Sequence, residues 1–360
     1  MRPIVLLAAG LAVAAVGPAA ARDLLVTIAK PGTLYVFDAA ERALLKECPL
    51  DVDMNPGVIQ MSPDGTVAYA LVNHWQDVLG INIETCERVF YAAQSDGNIE
   101  RRSIGSLAVS PDGAEIYTVR NPVRHLADRY EVMEPEFAAF ASDAGTEAEP
   151  VRTFPAPRRS TIMAAGEDGT VYIAGHDIYS YDPATGEYEV AIANRTWDRP
   201  TYSPPDVLAF WPVGTQNDEF LLMYTAAVFD SAAQEEITDF VWGFSSVDLD
   251  TGETEIQDFA SLEVLMFSAV RDPNADNLLY GVYTQLSKHD VGTNELIKRV
   301  DMPHTYYVIN ISTDGKELYV GGTNDDIGVY DAETLERIGE MRIPSGGDMG
   351  TATVQVVSVE

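Results

Sequence analysis

Cysteine is nearly absent from this 360-residue chain, which holds only Cys48 and Cys86. They form no C-x-x-C pair, which leaves a dithiol redox motif unsupported. They also form no C-x-x-C-H, which excludes ordinary c-type haem attachment to this chain. Basic residues are scarce as well, 23 against 56 acidic ones, for a formal charge of −33. A surface of that sign repels nucleic-acid phosphates and anionic lipid heads, so neither is an expected partner. It suits solubility in a salty compartment and the attraction of a basic protein or a cationic small molecule. Long apolar runs are missing too. The single candidate, Ile4–Val16, is interrupted by Gly17-Pro18 short of the roughly 20 residues a membrane-spanning helix needs. No membrane insertion is expected.

The usual signatures of catalysis are not there. No G-x-S-x-G elbow, H-E-x-x-H, Walker loop or G-x-G-x-x-G occurs. The five histidines, His74, His125, His176, His289 and His304, lack ligand spacing, and each reads as a hydrogen-bonding loop residue rather than a metal ligand. Asp248–Glu253 lacks the third acidic ligand and closing Glu of a calcium loop, and Asp272–Asp276 shares that weakness. Both read as turns. The sequence therefore assigns this chain no catalytic, cofactor-binding or metal-ligating residue, and nothing marks it as an autonomous enzyme.

What is present begins with an export signal. Arg2, the apolar run and the small residues Ala19-Ala20-Ala21 read as a signal peptide cut after Ala21. Residues 1–21 are then a leader, and residues 22–360 form the mature domain. Cleavage removes Arg2 and takes the charge from −33 to −34. In an oxidising compartment an even pair of cysteines predicts one structural disulfide, Cys48–Cys86, worth about 4 kcal/mol if unstrained. Hydrophobic content of 46% is ample for a packed core.

A repeat runs through the mature chain, whereas helical periodicity is nearly missing. An apolar strand, a D-G turn, a second strand, a third ending in Asp, and a fourth recur. The clearest copy is the last: Tyr307–Ile311, Asp314-Gly315, Glu317–Val320, Ile327–Tyr330, Asp331–Leu335 and Arg337–Ile343. Earlier copies are Val58–Phe90 with Ser62-Pro63-Asp64-Gly65, Leu107–Val119 with Ser110-Pro111-Asp112-Gly113, and Ile162–Ala191 with Asp168-Gly169. More diverged copies span Val207–Phe259 and Val264–Met302. Asp and Gly suit tight hairpins because Gly accepts positive φ and Asp bonds the nearby backbone. A unit of about 48 residues with four strands is a propeller blade.

Counting predicts an all-β, seven-bladed β-propeller. The first blade offers only Leu24–Ile28, Thr33–Phe37 and Ala43–Pro49, while Thr351–Val359 is an orphan strand at the far end. Pairing the two ends completes the first blade and removes exposed edges. This layout places Cys48 on the outer strand of blade one and Cys86 in the turn before the outer strand of blade two. Two places outgrow the repeat: Asn121–Pro135 in blade three, and Tyr202–Gly214 with Val228–Asp239 in blade five. Phe210-Trp211 and Tyr306-Tyr307 fall at strand ends near the central channel, where aromatic side chains suit a pocket wall or a subunit contact.

Longer strings resemble the β subunit of quinohemoprotein amine dehydrogenase. They are Pro150–Arg158, Ser203–Pro212, His304-Thr305-Tyr306-Tyr307, Gly321–Asp325 and Pro344–Met349, with Glu47-Cys48-Pro49 and Glu84-Thr85-Cys86 around the cysteines. The Asn121-Pro122 and Leu126–Tyr130 stretches are similar to that family's blade-three insertion. The resemblance implies a periplasmic heterotrimer in which the propeller is a scaffold without a cofactor. A small γ subunit would carry cysteine tryptophylquinone, and a larger α subunit, a dihaem cytochrome c, would carry two haem c groups. A primary amine would become aldehyde and ammonia, with electrons leaving through the haems to an external carrier. The strings and strand-end positions together point to one propeller face, with Phe210, Trp211, His304, Tyr306, Tyr307, Asp348 and Met349, as the border of the quinone subunit. Two other readings are a stand-alone periplasmic propeller that binds a ligand or envelope protein, and the heavy chain of methylamine dehydrogenase.

Overall fold

Strand-forming residues alternate with Asp-Gly turns from residue 22 onward, and the computed structural model turns that alternation into seven sheets. It describes residues 22–52, 57–208, 218–350 and 352–359. The predicted leader, Phe210 and Trp211 lie outside the described residues. Each blade is built around four antiparallel strands, which in all but blade one run in chain order from the central channel outward. Blade two runs Ile59–Met61, Val67–Val72, Asp77–Asn82 and Arg88–Ala93; blade seven runs Val308–Ile311, Glu317–Gly321, Asp326–Asp331 and Arg337–Arg342. Blade one joins the two ends of the chain as expected. Its strands Arg22–Ala29, Thr33–Asp38 and Ala43–Pro49 receive Gln355–Val359 as the inner fourth strand, in the register Leu24↔Val357 and Val26↔Gln355.

Two turn chemistries explain the hairpins. In Ser62-Pro63-Asp64-Gly65 the Asp64 carboxylate accepts the Thr66 N–H at 3.0 Å, and Ser62 Oγ accepts the Val67 N–H at 2.9 Å. Gly65 sits at φ +69°, a region open to glycine at no steric cost. Ser110–Gly113 and Ser312–Gly315 repeat the device. Between third and outer strands an Asp or Asn caps the backbone, as Asp182, Asp248 and Asp331 do, and a positive-φ residue follows four positions later. In blade four that residue is Gly186; in blade two it is Cys86, at φ +62°.

A blade buries neither face alone, so the core lies between blades. The Leu107–Ile116–Phe140 cluster joins blades two and three, and the Tyr280–Tyr306–Leu318 cluster joins blades six and seven. A larger cluster holds blade one against both neighbours, with Phe37, Tyr319 and Leu79 among its members. The disulfide Cys48–Cys86 crosses the rim between blades one and two, with Cα atoms 5.2 Å apart, within the range for an ordinary bridge.

This connectivity divides the ring into two faces. Hairpins leaving the inner and third strands form one, the turn face. Hairpins leaving the second strands, and the crossovers between blades, form the other, the connection face.

Candidate functional site

The turn face repeats one small motif, whereas among the described residues the largest departures from it lie on the connection face. In blade three the second strand lengthens to Glu115–His125 and pairs with Tyr130–Val132 on one side. On the other it pairs with Ile99–Arg102 from the preceding crossover, so the insertion is a three-stranded ribbon rather than a loop. Ile99–Arg102 carried no signal of its own, since its partner is a strand extension. Tyr130 and Val132 stand 72% and 70% exposed at its tip. Its arginines are matched by carboxylates, Arg124 to Glu131 at 2.9 Å, Arg129 to Asp128 at 3.0 Å and Arg102 to Glu100, and its Glu134 is met by Arg158 of the next crossover at 2.6 Å. In blade five Glu219–Phe229 and Ile237–Asp248 form a second projecting hairpin.

The crossover into blade seven places His304, Tyr306 and Tyr307 differently. His304 is half-buried, with Nε2 2.9 Å from Asp326 Oδ1 and Nδ1 2.8 Å from the Thr305 carbonyl. Tyr306 is fully buried and donates its hydroxyl to Asp326 Oδ2 at 2.7 Å. Burial, then the Asp326 carboxylate, pushes this phenol well above its usual pKa, so Tyr306 remains a donor. Arg337 completes the shell around Asp326 at 3.3 Å. Tyr307 lies half-buried on the connection face in a row with Phe267 and Tyr283, at centroid distances of 5.3 and 6.2 Å. Phe267 and Tyr283 themselves are 4.1 Å apart.

The crossover from blade seven to blade one holds Asp348 and Met349. Asp348 is half-exposed and pairs with Lys30 Nζ at 3.0 Å. Met349 is fully buried, and Thr27 donates its hydroxyl to the thioether sulfur at 3.1 Å. Met349 Cε fills the place a side chain at Gly321 would take, 1.9 Å from an ideal Cβ there. Of the seven predicted face residues, His304, Tyr307 and Asp348 reach the surface together. Tyr306 and Met349 support them from beneath, and Phe210 and Trp211 lie outside the described residues.

One node had no sequence signal. Arg199, from the crossover into blade five, pairs with Asp258 on that blade's outer strand, and its guanidinium lies 3.6 Å from the centre of the Tyr202 ring. Burial alone would raise the Asp258 carboxyl, but bonds from Arg199, Tyr224 and Tyr202 hold it below the usual range. The node ties the crossover to the blade. Its partners lie 59 residues apart, beyond any local pattern.

Histidines divide as well. His289, expected in a loop, sits inside the third strand of blade six, 1% exposed, with Nε2 2.9 Å from Ser287 Oγ. The strand alternates Leu286 and Lys288 with Ser287 and His289, and both sides of a blade face a neighbour. Burial lowers the imidazole from 6.5 to about 4. The unfolded chain then takes up a proton between those values that the folded chain refuses, so stability rises with pH from about 4 to about 6.5. His289→Gln is expected to remove about 3 kcal/mol of that rise. Denaturant titrations of both proteins from pH 4 to 7 check this; Asp218 and Glu219, raised by burial, act in the opposite sense in both.

On the turn face the channel mouth opens into a cavity of about 340 Å³. Met61, Val109, Phe220 and Val356 line it beside Asp64, Glu167, Asp218 and Asp250. Among the described residues no group of three or more Asp, Glu, His or Cys is arranged to hold a metal ion. The Asp248 and Asp272 stretches are turns, with each carboxylate capping its own backbone. Both cysteines are consumed by the disulfide.

No family model matches this sequence, and no curated protein does. Solved structures do. A functionally unknown protein from Desulfotomaculum acetoxidans DSM 771 is 11% identical, with a TM-score of 0.57 over 93% of this chain and 98% of that one. Dihydro-haem d1 dehydrogenase NirN is 13% identical, with a TM-score of 0.55 over 93% of this chain and 75% of that one. Kuenenia stuttgartiensis hydrazine synthase is 13% identical, with a TM-score of 0.54 over 86% and 89%. The chain is a seven-bladed β-propeller. At such identities these similarities speak to fold alone.

Proposed function

We propose that this propeller is the β subunit of a periplasmic quinohemoprotein amine dehydrogenase. One observation carries the reading: three separate family-like strings meet on one face. His304 reaches Asp326 just beyond Gly321–Asp325; Tyr307 lies against Gly322, whose added Cβ would stand 3.1 Å from Tyr307 Cβ; Met349 fills the space over Gly321. The blade-three ribbon, carrying the family-like insertion, projects from the same face.

In this reading the face borders the γ subunit, which carries cysteine tryptophylquinone, while the α subunit carries two haem c groups. Amine and water give aldehyde, ammonia, protons and electrons, and the electrons pass through the haems to an external carrier. The propeller supplies no reacting group. His304, Tyr307 and Asp348 would present a fixed surface, and Asp326, Tyr306 and Met349 would hold its loops rigid, so that the quinone subunit docks without ordering cost. The disulfide supports the same reading, because it suits an oxidising compartment.

Tyr307→Ala and His304→Ala are expected to loosen the heterotrimer and raise KM for the amine several-fold. Gel filtration and steady-state kinetics on the purified complex check it. Unchanged stoichiometry and unchanged KM in both variants would contradict the assignment.

A further inference from the structure

The two projecting ribbons of the connection face differ in charge. In blade three nearly every arginine has a carboxylate within reach, and the ribbon is close to neutral. The blade-five hairpin tip, Phe229–Phe240, carries Asp230, Glu235, Glu236 and Asp239 and no basic residue. Among the described residues none of these four carboxylates has an ion-pair partner. Asp239 accepts only the Ser261 hydroxyl, at 3.0 Å, and its own neighbouring N–H, while Asp230 accepts the Glu236 N–H and the Ser231 hydroxyl. Within the same tip Ile237 and Phe240 are 49% and 46% exposed, and Leu265 in the adjoining crossover is 59% exposed. Ile237, Phe240 and Leu262 line a shallow groove closed by Asp239 and Glu263.

An exposed apolar group whose own hairpin carries only acidic charge, with Arg299 donating to the Glu263 carbonyl at 3.3 Å on its far edge, has the anatomy of half an interface: an apolar centre that gains by desolvation, and a polar rim that steers approach. Like charges packed on one hairpin repel each other, and only a partner of opposite sign turns that repulsion into attraction. A second copy of this chain, at −33 overall, is the wrong occupant.

We infer that the blade-five ribbon is a docking site for a basic protein, one presenting lysine or arginine side chains around an exposed apolar group. The inference does not rest on the amine-dehydrogenase reading, because it uses only the charge and exposure of this hairpin.

A lysine-rich c-type cytochrome serves as the probe, titrated calorimetrically into the purified mature chain at low ionic strength. A ribbon variant, Asp230→Asn with Glu235→Gln, Glu236→Gln and Asp239→Asn, is compared with a control of equal charge change. The control is Glu84→Gln, Glu87→Gln, Glu187→Gln and Glu253→Gln, four exposed positions in turns of the opposite face. Binding is expected to weaken about tenfold in the ribbon variant and less than twofold in the control. Phe240→Ser alone is expected to weaken it severalfold at a salt concentration that removes most of the charge effect. Equal losses in both charge variants would show diffuse attraction to an acidic protein, and would overturn the inference. So would an absence of binding by the unaltered chain, or indifference to Phe240→Ser.

Discussion

Truncation after Val354 abolishes cooperative folding. Gln355–Val359 is the inner strand of blade one, and its five residues pair with Arg22–Val26. Its loss strips the ladder from one side of that strand, exposes Leu25 and Val26, and removes the Gln355 bond to the Ile59 carbonyl at 3.1 Å, which ties blade one to blade two. A ring whose blades are stable only against neighbours cannot leave one edge open. The cost approaches the whole margin of a domain, about 5–15 kcal/mol. Thermal melting and limited proteolysis are the measurements. A truncated chain that melts within a few degrees of the parent would show that the ring does not depend on its closure.

Removing the disulfide has the next largest effect. Closing a 38-residue separation restricts the unfolded chain by about 4 kcal/mol in the loop-entropy model. Cys48→Ala with Cys86→Ala is expected to lose most of that. Cys86 also occupies a turn position at φ +62°, where the corresponding residue of blade four is Gly186. A left-handed backbone disfavours any residue with a Cβ by about 1 kcal/mol. Cys48→Ala with Cys86→Gly is therefore expected to be about 1 kcal/mol more stable than the alanine pair. Urea midpoints of the three proteins, with equal slopes, decide both parts. If the glycine variant is no better than the alanine one, the strain at position 86 is not there to relieve.

The fold was legible because its grammar is local. Ser62–Gly65, Asp182–Gly186 and their copies each fix a hairpin within five residues, and repetition then fixes the blade. The incomplete first blade and the spare final strand even disclosed how the ring closes. Features that depend on distant partners were hidden. Arg199 and Asp258 meet across 59 residues, and His289 looked like a loop residue because an isolated histidine gives no sign that both sides of its strand are covered. Ile99–Arg102 became a strand only because the second strand of blade three runs past its blade.

The candidate site was half legible. Its strings were recognisable, and they do meet, but sequence placed Tyr306 and Met349 at the surface with Tyr307 and Asp348. Packing separates them: Tyr306 turns inward to the buried Asp326, and Met349 drops into the space left by Gly321. Adjacent residues on an irregular crossover point opposite ways, and no periodicity announces which does which. That the carboxylates of the blade-five hairpin surround exposed Ile237 and Phe240 needed the structure.

The measurement that bears most directly on the central claim is the native mass and visible spectrum of this chain, purified from its native host through a small tag. The account predicts a heterotrimer, with a c-type haem absorption band and a small internally crosslinked polypeptide co-purifying. A colourless monomer that stays alone at physiological salt would contradict it, and would make this a stand-alone binding propeller.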